Sequence, residues 1–275
     1  MTVKEALVAG GHQLLSAGIA EAPLESELLL RHILTTSVAG LYLRHNDPLP
    51  PEQEHAYFSL LERRLSGEPC AYIIGKREFY GLEFDVNPAV LIPRPETEIL
   101  VDRILAIAAE YREPTVADIG TGSGAIAITT AKHLLHAKFY AIDLSREALD
   151  TARHNADRHA VADTITFLQG DLLAPLPEAV DILVANLPYV PSGSLPKTGE
   201  PTLALDGGGN GLDVIARLIQ GLPDKLKPGA KVLLEIGWGQ EAEAHRLLSL
   251  ALPTATMQTY NDLAGIPRII QATCQ

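Results

Sequence analysis

Cysteine is nearly absent from this 275-residue chain: only Cys70 and Cys274 occur, far apart and outside any CxxC spacing. Two isolated thiols exclude a disulfide framework, and with no His-rich partner they offer no zinc-ligand pattern, so no metal is expected. His12, His32, His45 and His55 share no motif spacing and add nothing to a metal reading. Long apolar runs are missing too, none reaching the ~18 residues that a membrane span requires. The opening MTVKEALVAG shows no signal-peptide core, which leads to the expectation of a cytoplasmic chain with no membrane contact. Basic charge is in deficit, with 22 Lys and Arg against 34 Asp and Glu and a formal charge of -12. That sign disfavours a protein that must grip a long run of phosphates, and no stable nucleic acid complex is expected. What remains is 47% hydrophobic and 20% charged residues, enough apolar material for a substantial core in one large or two smaller domains.

From Val3 to about Leu65, apolar residues recur at three- and four-residue steps (Val3, Ala6, Leu7; Leu24, Leu28, Leu29; Tyr57, Leu60, Leu61, Leu65), and Pro23, Pro48, Pro50 and Pro51 punctuate them. This pattern predicts a small helical domain over 1–72. The period then changes to two, and Phe79 to Phe84 reads as a hairpin around Gly81 within a linker over 73–95. Ile92-Pro93-Arg94-Pro95 is stiffened by its prolines and leads into a helix to about Glu110, with Glu96 and Glu98 in its first turn. Arg94 falls where the edge of a lid is expected.

Over 96–275 strands and helices alternate. Strand one, Thr115 to Ile119, turns through Gly120-Thr121-Gly122-Ser123-Gly124 into a helix from Ala125 to about Leu135. The glycines let the backbone approach a ligand and leave the amides at the helix start free for an anionic group. Strand two, Lys138 to Ile142, ends on Asp143, where a carboxylate suits a ribose diol. Helix 145–159 follows, then strand three, Ile165 to Leu168, ahead of Gly170-Asp171-Leu172. Strand four is Asp181 to Ala185; a helix from about Leu212 runs to the Lys227-Pro228-Gly229 break, and strand five is Val232 to Ile236. After helix 240–250, two short runs over 255–260 and 268–273 allow an antiparallel edge. The pattern predicts an α/β, doubly wound parallel sheet.

Strand four runs into Asn186-Leu187-Pro188-Tyr189. Pro188 lacks an N–H and pushes Leu187 towards an extended backbone, leaving the Leu187 carbonyl without a ladder partner. Asn186 adds a side-chain carbonyl, and two acceptors beside the Tyr189 ring suit a planar NH2 group, either a primary amide or the amine of adenine. The Pro-, Gly- and Ser-rich stretch from Pro191 to Gly211 is long for a connection inside a compact domain and reads as a substrate-facing flap around Glu200 and Pro201.

The glycine loop here is GxGxG, not GxGxxG. Together with Asp143, Gly170-Asp171 and Asn-Leu-Pro-Tyr it resembles the class I S-adenosylmethionine methyltransferases that methylate planar nitrogens. Within them the chain is similar to the HemK family of protein-(glutamine-N5) methyltransferases acting on peptide chain release factors. The similarity rests on Gly67-Glu68-Pro69, Phe79-Tyr80-Gly81, Leu91 to Glu98, Asp118 to Gly124, Glu200-Pro201, Glu235-Ile236-Gly237 with Gln240, and Asp262, Gly265 and Arg268. The resemblance implies a Rossmann-like catalytic domain over 96–275 with an antiparallel final strand, and an N-terminal domain that recognises substrate. It implies S-adenosylmethionine as methyl donor: Asp118, Gly120, Thr121, Gly122, Ser123 and Gly124 would hold its methionine part, Asp143 its ribose, Asp171 and Leu172 would flank its adenine, and Asn186 would complete the pocket. Asn186, Leu187, Pro188 and Tyr189 would carry catalysis and bind substrate together with Arg94 and Glu200, and the protein substrate would be a class I release factor. One residue departs from the family pattern, which reads Asn-Pro-Pro-Tyr; Leu187 here also matches the Asn-Leu-Pro-Tyr of rRNA adenine-N6 dimethyltransferases. Adenine-N6 methylation of rRNA or DNA, and a non-catalytic nucleoside-binding scaffold, therefore stay open as alternatives.

Overall fold

A computed structural model describes all 275 residues. They fall into two compact units, Met1–Gly75 with Lys197–Gly199, and Lys76–Pro196 with Glu200–Gln275. The first unit is helical: α1 (Val3–Ser16), α2 (Ala22–Leu34), α3 (Val38–Leu43), α4 (Pro51–Leu65) and α5 (Cys70–Ile74). Its helix starts follow local chemistry. Thr2 and Glu5 form a reciprocal capping box on α1, the Ser37 side chain accepts from the Gly40 amide at α3, and Pro51 opens α4 where its missing N–H costs nothing. The spaced apolar residues of the sequence, Val3, Ala6, Leu14, Leu29, Leu30, Tyr57 and Leu61 among them, form one core.

The second unit opens with a hairpin, β1 (Lys76–Phe79) and β2 (Leu82–Asp85), turning at Tyr80 and Gly81 with positive φ at both. A single 3-10 turn, Pro95–Thr97, precedes α6 (Glu98–Ala108). Glu96 thus lies in the 3-10 turn and not in the first turn of the α-helix. Then come β3 (Thr115–Ile119), α7 (Ala125–His133), β4 (Lys138–Asp143), α8 (Arg146–Arg158), β5 (Ile165–Gln169), β6 (Val180–Ala185), α9 (Asp213–Gln220), β7 (Leu226–Glu235), α10 (Glu241–Ala251), β8 (Thr256–Asn261) and β9 (Pro267–Thr273). The sheet has seven strands in the order β5-β4-β3-β6-β7-β9-β8, parallel from β5 to β7, with β9 antiparallel to both its neighbours.

Both faces of the sheet are covered. Along β6 the side chains alternate, Ile182 and Val184 joining a core with α6, α7 and α8, and Leu183 and Ala185 joining one with α9 and α10. The strand order turns back between β3 and β6, so the crevice beyond their carboxyl ends is the switch point at which doubly wound sheets hold ligands.

Helix α9 stops at Gln220 and β7 already begins at Leu226, so Lys227-Pro228-Gly229 lies inside the strand and does not end the helix. The pairing with β6 jumps from Val180 against Leu226 to Ile182 against Lys231, leaving the proline in a bulge where its missing N–H breaks no ladder bond. The helix itself ends at Gly221, followed by a 3-10 turn that contains Pro223.

Candidate active site

The glycine loop is held in place by the strand beside it. The Gly120 and Thr121 amides both donate to the Ile142 carbonyl, at 2.8 and 2.9 Å, so the loop folds back over the end of β4. Gly120 has φ +77°, and a β-carbon there would lie 2.8 Å from Leu187 Cδ2, so the position needs glycine both for its backbone and for its neighbour. Gly124 also has positive φ, and its missing side chain makes room for Ile128 and Ala152.

Asp143 ends β4 with each oxygen already used once. Oδ2 accepts from the Gly122 amide and Oδ1 from the Ser145 amide, both at 2.9 Å, which joins the glycine loop to the start of α8. A carboxylate has about four acceptor sites, so capacity for two hydroxyls remains. Burial raises its pKa, and these amide bonds oppose the rise. Asp118 is 1% exposed: Oδ2 accepts from Thr121 Oγ1 at 2.7 Å while Oδ1 has no partner. Burial pushes it up to about 7, against the lowering effect of the Thr121 bond. It supports the loop from beneath.

These elements open onto a cavity of about 740 Å³ lined by Gly120, Thr121, Gly122 and Ser123, by Ile142 to Ser145, by Gly170, Asp171 and Leu172, by Asn186, Leu187 and Pro188, and by Arg94 and Thr97. Its volume is within the ~300–1,000 Å³ of ordinary small-molecule sites. The glycine loop, Asp143, the Asp171 corner and the Asn-Leu-Pro turn, separate in sequence, thus share one wall. Four expected site residues do not: Asp118, Gly124, Tyr189 and Glu200 are absent from the lining. Asp118 and Gly124 lie behind the loop.

Tyr189, expected as a stacking surface, is held through its hydroxyl. Its hydroxyl donates to Glu235 Oε1 at 3.4 Å, and burial together with the Glu235 charge pushes it up to about 12. Glu235, 2% exposed, ends β7 and also accepts from Thr97 Oγ1 at 2.8 Å. Burial lifts this carboxyl to about 7, opposed by the bonds from Thr97 and Tyr189 and by Arg268. Thr97 Oγ1 in turn accepts from Asn186 Nδ2 at 3.0 Å. Asn186 Oδ1 and the Leu187 carbonyl accept no hydrogen bond from the protein. The Leu187 side chain is 5% exposed and packs into the α9 and α10 core.

The stretch between Tyr189 and α9 is ordered by its own backbone. Val190 pairs with Asp206, with Val190 donating to the Leu205 carbonyl at 3.0 Å and Gly207 to the Val190 carbonyl at 2.8 Å. Pro201, Thr202, Leu203 and Ala204 line the cavity. Glu200 has only 2% of its side chain exposed; it accepts from the Ile92 amide at 3.1 Å and pairs with Arg94 at 2.5 Å. Arg94 and Glu200 therefore bind each other, fastening this stretch to the segment before α6, and only Arg94 reaches the cavity.

Thr97, Glu235 and Gln240 lie in motifs quoted above, but the sequence assigned them no role. Gln240 Nε2 donates to the Tyr189 carbonyl at 2.9 Å and its Oε1 accepts from the Gly237 amide at 2.8 Å, fixing the far end of the turn. The signal for Glu235 was an acid closing the apolar run Val232-Leu233-Leu234. Arg217 on α9 carries no sequence signal for the site; it lines the cavity and forms an ion pair with Asp171. No local pattern pairs residues so distant in sequence.

Residues 5–75 match the family model of the PrmC N-terminal domain, and residues 95–197 that of the methyltransferase small domain. A release factor glutamine methyltransferase of Moorella thermoacetica is 39% identical over 99% of this chain and 98% of its own length. That of Bordetella pertussis is 40% identical over 90% and 93%. The ribosomal protein L11 methylase of Lactobacillus delbrueckii superposes with a TM-score of 0.53 at 21% identity, covering 69% of this chain and 84% of that one, a likeness of fold. With relatives of this identity along nearly its whole length, the chain belongs to the release factor glutamine methyltransferase family.

Proposed function

We propose that this chain transfers a methyl group from S-adenosylmethionine to the side-chain amide nitrogen (N5) of a glutamine in class I peptide chain release factors. The observation that carries this reading is that Asn186 and Leu187, whose Oδ1 and backbone carbonyl have no partner in the protein, line the same cavity as Gly122 and Asp143. The residues fit the donor: free lone pairs on Asp143 suit a ribose diol, the glycine loop admits a close backbone approach, and Leu144, Leu172 and Val214 provide apolar walls for a flat base. Bound there, the donor supplies an electrophilic methyl on a sulfonium.

An amide nitrogen is a poor nucleophile because its lone pair is delocalised into the carbonyl, so positioning supplies most of the acceleration. Asn186 Oδ1 and the Leu187 carbonyl accept the two N–H protons and turn the lone pair towards the methyl. With the donor bound, an N–C bond would form as its S–C bond breaks, and the same two oxygens would stabilise the positive charge that grows on nitrogen. The surplus proton then leaves to water; the turn itself contains no Asp, Glu, His or Cys to act as base. Pro188 keeps the turn extended, and Tyr189 anchors it through Glu235. The Arg94–Glu200 pair holds the 200–206 stretch at the mouth, with Arg94 within reach of substrate. The helical domain over 1–72 is assigned to release-factor recognition, the hairpin segment over 73–95 joins it to the catalytic domain over 96–275, and the enzyme is placed in the cytoplasm. No helix is long and apolar enough to cross a membrane.

Leu187 favours a second reading, adenine-N6 methylation of RNA or DNA, because the same acceptor pair fits the adenine amine. Offering release factor, rRNA and DNA side by side with labelled donor separates the two. Label in the release factor alone supports the proposal, label in nucleic acid supports the second reading, and donor binding without transfer to any of them supports a non-catalytic scaffold.

A further inference from the structure

An asparagine amide is nearly symmetric in shape, and only its hydrogen-bond partners decide which end faces a ligand. At Asn186 those partners form a chain leading away from the cavity. Nδ2 donates to Thr97 Oγ1 at 3.0 Å, and Thr97 Oγ1 donates to Glu235 Oε2 at 2.8 Å. Thr97 is 4% exposed and Glu235 2% exposed, so solvent does not compete for these bonds. A hydroxyl has a single proton, and an ionised carboxylate can only accept. With the Thr97 proton directed at Glu235, its oxygen presents lone pairs to Asn186, and lone pairs select the NH2 end of the amide.

We infer that Thr97 and Glu235 are positioning residues for Asn186: the fixed direction of their hydrogen bonds turns Oδ1, and not the amine, towards the substrate nitrogen. The inference rests on the clamp described under the proposed function and adds residues that set its polarity. Neither acts on substrate itself in this account; a flipped Asn186 would aim a donor at a donor and repel the amide it should hold. Thr97 comes from the turn before α6 and Glu235 from the end of β7. The clamp is therefore oriented by parts of the sheet unit that do not contain the Asn-Leu-Pro-Tyr turn. A direct Asn186–Glu235 contact could fix the same amide orientation, but the interposed hydroxyl makes Thr97 replaceable by serine and not by valine.

The test is a double-mutant cycle on the full chain, with release factor and methyl donor, at about pH 8.5, well above the ordinary carboxylate range. Thr97→Val keeps the shape and removes the hydroxyl; it is expected to lower kcat by ~10- to 100-fold with donor affinity within ~3-fold. Thr97→Ser should restore kcat to within a few-fold of wild type. In an Asn186→Ala background, Thr97→Val should cost less than ~2-fold more, because residues acting as one unit are not additive. The inference is overturned if Thr97→Val leaves kcat unchanged, if its loss multiplies with that of Asn186→Ala, if serine fails to rescue, or if donor affinity falls in step with kcat, which would make Thr97 a packing residue. The clamp itself fails separately, through a normal kcat in Asn186→Ala alone.

Discussion

Leu187 rests on Gly120: a β-carbon on that glycine would lie 2.8 Å from the leucine Cδ2. The glycine loop and the Asn-Leu-Pro-Tyr turn are thus in direct contact, so a shift in one presses on the other. Gly120→Ala adds this clash to a φ of +77°, which costs a non-glycine residue ~1–2 kcal/mol. Donor affinity measured by calorimetry should fall by ~10- to 100-fold; unchanged affinity would show that the loop relaxes freely.

The departure from the usual family turn is expected to be mild. The Leu187 amide makes no backbone hydrogen bond and the useful group is its carbonyl, so Leu187→Pro should keep turnover within ~3-fold. Leu187→Ala removes a buried side chain from the core and should lower unfolding stability by ~2–4 kcal/mol in denaturant titration. A large loss of turnover in the proline variant would mean that the leucine side chain selects the substrate.

Glu200→Ala releases both the Arg94 guanidinium and the Ile92 amide. The 200–206 stretch should then exchange amide hydrogens faster and the KM for the protein substrate should rise, with a smaller change in donor affinity. An exchange pattern like that of wild type would show that the backbone pairing of Val190 with Asp206 holds the stretch unaided.

Glu235 gives the fold a pH signature. Burial lifts its carboxyl from the ordinary 4.5 to about 7, so between those values the folded chain holds a proton that the unfolded chain has released. Its contribution to stability therefore falls as pH rises through that window. Asp118, lifted to about 7 from 3.8, acts in the same direction. Glu235→Gln removes one share, so its melting temperature relative to wild type should be higher at about pH 8 than at about pH 5.5. A difference independent of pH would mean that Glu235 is not shifted.

Much of the sheet was legible because its signals are local. Buried parallel strands read as short apolar runs, and Asp143 and Asn186 follow such runs directly. Both residues line the cavity with Gly122, as the order of motifs led one to expect. What escaped was longer-range. Pro228 and Gly229 read as a break because a bulge in β7 depends on its register with β6, which no single segment encodes. The bond from the Tyr189 hydroxyl to Glu235, at 3.4 Å, joins two separate strands' ends, and the turn by itself does not announce it. The Arg94–Glu200 and Arg217–Asp171 pairs join residues from separate elements, and only the folded chain shows that they meet.

The most direct measurement of the central claim is mass spectrometry of a release factor incubated with this protein and methyl donor. A single added methyl on a glutamine side chain, lost or slowed by ~10- to 1,000-fold in Asn186→Ala while donor affinity stays near wild type, is the predicted result. Methylation that proceeds at the wild-type rate without the Asn186 side chain, or that falls on another residue type, would contradict it.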